Sequence, residues 1–249
     1  MEKAIAIIPA RYASTRFPGK PLAILGGKTV IQRVYETAAA TLDEAYVATD
    51  DERICDAVEH FGGKAIMTSS NHRSGTDRIA EAARLTQSDA DIIVNIQGDE
   101  PFIHPSQIIA AIQCFEDAPE TQIATLGKPF TSAQDFAALQ NPNSPKVVTD
   151  LRGFALYFSR SVIPYFRGKE TDEWIASHTY LKHIGLYAYR SDVLQAVTLL
   201  PPSPLEIAES LEQLRWLQNG YRIRVATTEI ETVGIDTPDD LKRAEQMLA

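Results

Sequence analysis

Apolar segments of strand length alternate with amphipathic segments of helix length through the first half of the chain, and this alternation constrains the fold most strongly. Residues 4–8 and 91–96 are nearly all apolar, which is typical of strands buried on both faces of a sheet. Apolar residues recur at helical spacing over residues 30–38, 54–61, 76–85 and 105–115. Strands that alternate with such helices predict an α/β fold, with a mostly parallel sheet covered by helices on both faces.

The pattern changes after about residue 127. KVVTD and FALYFS predict two extended runs joined by a turn at Gly153, and the proline-rich stretch up to Phe166 has no helical period. IGLYAY and YRIRVAT predict two further strands. We expect a single domain over residues 1–249 with a smaller inserted lobe at about residues 127–190, rather than a clean division into two domains.

Two helices are predicted in the C-terminal part of the chain. Pro204 begins a long helix that continues through Trp216 and ends at Gly220. The last helix has Thr237 as its predicted N-cap, followed at once by a proline. Asp236 lies beside this cap, so its carboxylate is either a capping acid or a metal ligand.

Basic residues are concentrated near the N-terminus of an acidic chain. The sequence has 24 Lys and Arg against 33 Asp and Glu, a net charge of −9, which argues against nucleic acid or an anionic membrane as a partner. The basic residues within residues 1–28 are Lys3, Arg11, Arg16, Lys20 and Lys28, against Glu2 alone. We therefore expect one local anion-binding site.

The sequence contains neither a membrane segment nor a pattern of paired cysteines. No apolar run approaches the ~20 residues needed to cross a bilayer, and the first apolar stretch is too short for a signal peptide. We therefore expect a cytoplasmic protein. Cys55 and Cys114 lie on the apolar faces of predicted helices and are expected to be reduced core thiols.

The segment PARYASTRFPGKP, residues 9–21, follows the first strand, where an open α/β sheet places its ligand site. It contains three cations and two hydroxyls, and its charges suit a polyphosphate. Because Pro21 follows Gly19 and Lys20, the segment is not a Walker loop, and the chain contains no G-x-G-x-x-G dinucleotide motif. The alternative is a solvated loop whose arginines form surface ion pairs worth ~0 to 1 kcal/mol each.

Gln97, Gly98, Asp99 and Glu100 follow the apolar strand at residues 91–96. An acid at the end of a strand can hold a hard divalent cation against phosphate oxygens. The sequence leaves open which of the two carboxylates turns inward, and whether either is only a favourable charge at a helix N-terminus.

HRSGTDR, residues 72–78, places a glycine and two hydroxyls at a helix start, where backbone N–H groups can bind an anion or a base edge. Ser74 or Thr76 can equally be a helix cap. The five histidines show no zinc-binding spacing and no G-x-S-x-G motif is present, which disfavours a zinc enzyme or a serine esterase.

Taken in order, the motifs resemble those of one bacterial enzyme family. They are IIPARYASTRFPGKPL, VATDDERI, MTSSNHRSGTDRIAE, VNIQGDEP, KVVTD, ALYFSRSVIP, HIGLYAYR, LEQLR and VGIDTPDDL, and they span nearly the whole chain. Together they resemble the 3-deoxy-manno-octulosonate cytidylyltransferases, or CMP-Kdo synthetases, which activate 3-deoxy-manno-octulosonate (Kdo) for lipopolysaccharide. The resemblance implies a Rossmann-like nucleotidyltransferase fold, CTP and Kdo as substrates, Mg²⁺ as cofactor, and a homodimer built partly through the inserted lobe.

The resemblance also implies the residues of the site. The nucleotide would be held by Ala10, Arg11, Arg16, Lys20, Ser74, Gly75, Arg78 and Gln97. The magnesium would be held by Asp99 and Asp236, which with Arg16 and Lys20 form the catalytic set. The sugar acid would contact Arg160, His183, Tyr187, Glu212 and Gln213. Residues 165–179 match no motif of the family.

The expected reaction is transfer of CMP from CTP to the anomeric hydroxyl of Kdo, with release of pyrophosphate. The nearest alternative is a nucleotidyltransferase with another nucleotide, such as UTP, or another sugar, such as 8-amino-Kdo, sialate or a hexose phosphate. A non-catalytic nucleotide-binding protein on the same fold is a second alternative. A Rossmann oxidoreductase is a third, disfavoured by the missing glycine motif.

Overall fold

The computed structural model describes residues 2–13, 16–132 and 135–248. The chain folds into two compact units. The first comprises Met1–Ile109, Leu186–Thr198 and Thr232–Ala249, and the second comprises Ala110–Gly185 and Leu199–Glu231. Most of the lobe expected at residues 127–190 therefore falls within the second unit, which begins earlier in the chain.

The two units are built from short strands and helices. The strands are β1 (Ala4–Ala10), β2 (Ile24–Leu25), β3 (Lys28–Thr29), β4 (Ala45–Thr49), β5 (Ala65–Met67), β6 (Ile92–Asn95), β7 (Ile123–Pro129), β8 (Lys146–Thr149), β9 (Ala155–Ser159), β10 (Leu181–Arg190) and β11 (Ile223–Thr227). The helices are α1 (Val30–Thr41), α2 (Glu52–His60), α3 (Gly75–Thr86), α4 (Pro105–Asp117), α5 (Phe136–Gln140), α6 (Trp174–Ser177), α7 (Ser191–Val197), α8 (Pro204–Glu209), α9 (Gln213–Gln218) and α10 (Pro238–Leu248). Single 3-10 turns lie at Lys20–Leu22 and Thr171–Glu173.

The first unit contains the parallel sheet predicted from the alternation. β1 pairs in parallel with β4 and β6, and β4 pairs in parallel with β5. Ile7 lies opposite Tyr46 on one side and Asn95 on the other, and the C-terminal half of β10 adds an antiparallel strand beside β6. The consecutive residues Ile5, Ala6, Ile7 and Ile8 are fully buried. Since neighbouring residues of a strand face opposite sides of the sheet, both faces of β1 are covered, as expected.

The second unit combines a parallel strand pair with an antiparallel hairpin. β7 pairs in parallel with β11, whereas β8 pairs antiparallel with both β9 and β10. The turn between β8 and β9 contains Gly153 at φ +79°, a left-handed conformation that glycine adopts readily. The two extended runs and the glycine turn predicted there are confirmed. A hydrophobic cluster of this unit consists of Phe130, Leu139, Trp174, Ile175 and Tyr180.

The prediction of one long helix from Pro204 through Trp216 is wrong, because the chain forms two helices, α8 and α9, with a break at Ser210. Ser210 has φ +50°, in the left-handed region. The guanidinium of Arg160 donates hydrogen bonds to the carbonyl oxygens of Glu209 at 2.6 Å and of Ser210 at 3.2 Å. These carbonyl oxygens therefore accept hydrogen bonds from a side chain. In a continuous helix they would accept them from backbone N–H groups four residues further along.

Two further predictions concern the state of the cysteines and the absence of a membrane-spanning helix. Cys55 and Cys114 are free, as expected, although only Cys114 is buried. Burial raises the pKa of the Cys114 thiol to about 11.

Across the described ranges, every helix is too short or too polar to span a bilayer.

Candidate active site

A cleft of about 430 Å³ opens in the first unit at the carboxyl ends of β1 and β6. All eight residues expected to hold the nucleotide line it: Ala10, Arg11, Arg16, Lys20, Ser74, Gly75, Arg78 and Gln97. Asp99 lines the same cleft. The carboxyl ends of parallel strands are where open α/β sheets place their ligands, so the cleft lies where the fold predicts it.

Two acids that are distant in sequence converge on one ammonium group. Nζ of Lys20 lies 2.5 Å from Oδ2 of Asp99 and 3.2 Å from Oδ1 of Asp236. Nη2 of Arg16 lies 3.2 Å from the same oxygen of Asp236. The side chain of Lys20 is 13% exposed, whereas that of Arg16 is 65% exposed. The ammonium of Lys20 is therefore the shielded centre of this group, and Arg16 is its solvent-exposed edge.

Backbone contacts place Asp99. A Cβ atom on Gly98 would lie 2.7 Å from the carbonyl oxygen of Pro9, closer than real Cβ atoms come to backbone, so only glycine fits at this position. The carbonyl oxygen of Asp99 accepts the N–H of buried Ile235 at 2.8 Å. Of the two carboxylates that the sequence could not separate, it is Asp99, not Glu100, that lines the cleft.

The start of α10 places Asp236. Thr237 caps the helix, since its Oγ1 accepts the N–H of Asp240 at 3.2 Å, as predicted. The carboxylate of Asp240 in turn accepts the N–H groups of Asp236 and Thr237. Capping is thus performed by the neighbours of Asp236, and its own carboxylate reaches Lys20 and Arg16 instead.

A contact that sequence analysis missed anchors the cationic loop. The guanidinium of Arg53 stacks 3.3 Å above the ring of Tyr12, and it also forms an ion pair with Asp51 at 2.7 Å. The carbonyl oxygen of Tyr12 accepts the N–H of Gly19 at 2.9 Å, which closes the loop. The two hydroxyl residues of this loop, Ser14 and Thr15, lie outside the described residues.

The N-terminus of α3 forms one wall of the cleft. Ser74 Oγ accepts the N–H of Asp77 at 3.1 Å, and the Asp77 carboxylate accepts the N–H of Ser74 at 3.3 Å. This is a capping box, so Ser74 both caps the helix and lines the cleft. Gly75 brings the next backbone N–H to the same wall.

Arg78 lines the cleft, and its guanidinium is bound by two buried or partly buried side chains. It is 1% exposed, forms an ion pair with Asp50 at 2.9 Å, and donates to Oγ1 of Thr68 at 2.6 Å. Sequence analysis missed both partners. Asp50 follows β4 directly, and Asp99 lies shortly after β6, so an acid beyond the carboxyl end of a strand was the available signal.

The residues expected to bind the sugar acid are divided between the units: Tyr187 belongs to the first, and Arg160, His183, Glu212 and Gln213 to the second. A ring nitrogen of His183 lies 3.0 Å from Oγ1 of Thr125. Burial lowers the pKa of His183 to about 3, so the ring is neutral at physiological pH.

Arg160 and Gln213 differ in how their polar atoms are satisfied. The guanidinium of Arg160 donates to the carbonyl oxygens of Pro142, Glu209 and Ser210. Gln213 is 4% exposed, and within the described part of the chain its Nε2 has no hydrogen-bond partner. An amide buried in this way is expected to find its partner in a ligand or a bound water.

The donor set of Asp99 and Asp236 fits Mg²⁺. Among the described residues, no group of three or more His, Cys, Asp or Glu could hold a metal. Mg²⁺ does not need such a group, because it is usually bound by one or two carboxylates together with substrate phosphates and water. The ammonium of Lys20 between the two carboxylates shows that this position favours a cation.

Comparison with known proteins gives relatives over the full length of the chain. The cytidylyltransferase family model matches residues 5–224. Proteins named 3-deoxy-manno-octulosonate cytidylyltransferase from Bacteroides thetaiotaomicron and Phocaeicola vulgatus are 65% and 64% identical, covering 99% of this chain and 98% and 97% of their own lengths. A solved CMP:2-keto-3-deoxy-manno-octonic acid synthetase complexed with CTP is 47% identical, with a TM-score of 0.89, covering 99% of this chain and 98% of its own.

Proposed function

The chain belongs to the 3-deoxy-manno-octulosonate cytidylyltransferases of the cytidylyltransferase family, and from this premise we infer that it transfers CMP from CTP to Kdo and releases pyrophosphate. The observation that carries this inference is the identity of 65% over 99% of the chain to a relative of that name. The activity expected from the sequence motifs is thereby confirmed. The convergence of acids and cations in one cleft supplies the geometry for it.

The reaction is an in-line displacement at the α-phosphorus of CTP. A bond forms between the anomeric oxygen of the sugar acid and phosphorus, the bond to the β-phosphate oxygen breaks, and the hydroxyl proton passes to solvent. Catalysis of this kind depends on positioning and on stabilising charge that develops on the leaving group. Arg11, Arg16 and Lys20 lie together in the cleft and supply the positive charge for that purpose.

Asp99 and Asp236 are proposed to hold the Mg²⁺. When bound there, the ion would neutralise phosphate charge and lower the pKa of the anomeric hydroxyl. Support for this assignment comes from the two carboxylates that face one ammonium, Nζ of Lys20. In the absence of a metal, Lys20 compensates both acids.

The other assignments follow from the family. We propose that Ala10, Ser74, Gly75, Arg78 and Gln97 frame the cytosine and ribose, and that Arg160, His183, Tyr187, Glu212 and Gln213 bind the sugar acid. The neutral ring of His183 supports this, since it can both donate and accept a hydrogen bond. The buried amide nitrogen of Gln213, which lacks a partner within the described residues, is a further supporting observation.

Assembly and location stay predictions. A homodimer built partly through the inserted lobe is proposed from the family alone, and light scattering at micromolar concentration that showed only monomer would contradict it. Location in the cytoplasm stays a prediction, and the absence of nucleic-acid and membrane partners is proposed from the acidic composition.

A substrate panel tests the proposed function. Pyrophosphate release is measured for CTP and UTP, each with Kdo, 8-amino-Kdo, sialate and a hexose phosphate, with and without EDTA. We expect release with CTP and Kdo that EDTA abolishes and excess Mg²⁺ restores. Faster turnover with another pair would assign a different transferase specificity, and CTP binding without turnover would indicate a non-catalytic protein.

A further inference from the structure

Glu81 connects α3 to the loop at residues 68–74 that precedes it. Its Oε2 accepts the backbone N–H of Ser69 at 2.8 Å and also contacts Nε2 of His72. The side chains of Glu81 and His72 are 23% and 19% exposed, so both contacts are largely shielded from water. The His72 ring lowers the pKa of the Glu81 carboxyl, which is therefore ionised at neutral pH. One carboxylate thus ties two positions of the loop to the helix.

The loop in turn supports a cation of the cleft. The carbonyl oxygen of His72 accepts a hydrogen bond from Nη2 of Arg11 at 2.5 Å. The next two residues of the loop, Arg73 and Ser74, line the same cleft as Arg11. The orientation of the Arg11 guanidinium therefore depends on where the backbone of His72 is held.

We propose that Glu81, acting through His72, is a positioning residue for nucleotide binding, which it serves by keeping the His72 carbonyl where it orients Arg11 toward the phosphate groups of CTP. This inference rests on the proposed function for the identity of the nucleotide. Orientation matters because a guanidinium binds phosphate through a planar fork of N–H donors. Without the Glu81 carboxylate, the loop and the arginine are less restrained, and nucleotide binding must supply the ordering free energy.

Substitution Glu81→Gln tests the proposal, since it keeps the size of the side chain and removes its charge. We expect the Kd for CTP, measured by titration calorimetry without Kdo, and the KM for CTP to rise about tenfold, on the scale of one charge-assisted hydrogen bond. The KM for Kdo should stay within about twofold, the scatter expected of an independent site. The matched control is Glu36→Gln on α1, an exposed carboxylate paired with Lys28, which should leave both constants unchanged.

A double variant distinguishes positioning from a general loss of structure. Because Glu81 acts through Arg11, adding Glu81→Gln to Arg11→Ala should weaken CTP binding by less than about a further twofold. The full tenfold effect in the Arg11→Ala background, or none in the wild-type background, would overturn the proposal. A wild-type enzyme that binds CTP but does not turn over would contradict the proposed function and leave this binding test intact.

Two substitutions of His72 keep the inference testable if Glu81→Gln does not fold. His72→Leu removes the ring contact with the carboxylate, whereas His72→Gln restores an N–H donor at a similar reach. We expect CTP binding to weaken in the first variant and to recover at least partly in the second. Equal affinity in both variants would show that the contact does not act on the nucleotide.

Discussion

Replacing Lys20 by methionine removes the positive charge that two acids of the cleft share. Nζ of Lys20 lies 2.5 Å from a carboxylate oxygen of Asp99 and 3.2 Å from one of Asp236. Methionine keeps most of the apolar stem, so the substitution changes charge more than volume. In the variant Asp99 loses its ammonium partner, while Asp236 keeps the exposed guanidinium of Arg16.

The structure sets the size of the expected effect. Removing one partner of a fully buried ion pair costs about 3 to 5 kcal/mol of unfolding free energy. Here the side chains of Asp99 and Asp236 are 33% and 48% exposed, so water and salt screen the unpaired charges. We therefore expect Lys20→Met to lower the free energy of unfolding by about 1 to 3 kcal/mol in EDTA. The rate with CTP and Kdo should fall about 100-fold, on the scale of a lost transition-state contact.

Calorimetric melting curves recorded in EDTA and in millimolar Mg²⁺ measure this effect. Mg²⁺ binds well to paired carboxylates, so it should recover more stability in Lys20→Met than in the wild type, where Lys20 already compensates the acids. The matched control is Lys28→Met, which breaks an exposed pair with Glu36 and should change stability by ~0 to 1 kcal/mol with no added response to Mg²⁺. An unchanged melting temperature of Lys20→Met, or the same Mg²⁺ response in both variants, would refute the interpretation that Asp99 and Asp236 share the positive charge of Lys20.

Four other substitutions test further parts of the structure. Asp99→Asn and Asp236→Asn should each lower kcat at least ~100-fold at saturating Mg²⁺, and a near-normal rate of pyrophosphate release would remove that aspartate from the mechanism. Arg78→Met should lower the free energy of unfolding by about 2 to 4 kcal/mol in urea titrations, because it deprives Asp50 of a buried partner; a loss below about 1 kcal/mol would contradict this. Burial lowers the pKa of His183 to about 3, whereas in the unfolded chain the ring titrates near 6.5. Only the unfolded state therefore takes up a proton as pH falls below about 6.5, and His183→Gln should abolish about 1 to 2 kcal/mol of the stability lost between pH 7 and pH 5; an unchanged pH dependence of urea unfolding would oppose this.

The residues that line the cleft were predictable because they lie at the ends of strongly patterned elements. The cationic loop follows β1, Asp99 follows β6, and Ser74 is the N-cap of α3. In a parallel sheet these ends meet at one edge, so local pattern is enough to bring them together. The acid after β4, Asp50, obeys the same rule and was overlooked because it lies among other charged residues.

Contacts between distant parts of the chain could not be predicted in this way. From local pattern, Asp236 was more often a capping acid than a metal ligand, and the bond between the Ile235 N–H and the Asp99 carbonyl brings its segment beside Lys20. The break at Ser210 has a similar origin. The apolar spacing continues across Ser210, so the sequence there predicts an unbroken helix. The carbonyl oxygens at the break accept hydrogen bonds from the guanidinium of Arg160, which follows β9 and is distant in sequence.

Because residue 98 is a glycine, main-chain atoms alone set the distance between the loop that follows β1 and the acidic residue Asp99. The carbonyl of Pro9 occupies the space that any other residue would need, and main-chain atoms have no alternative rotamers with which to yield. Substitutions of other side chains in the cleft can therefore alter its lining without changing this spacing. Changing the spacing itself would require β1 and β6, which pair directly, to move relative to each other.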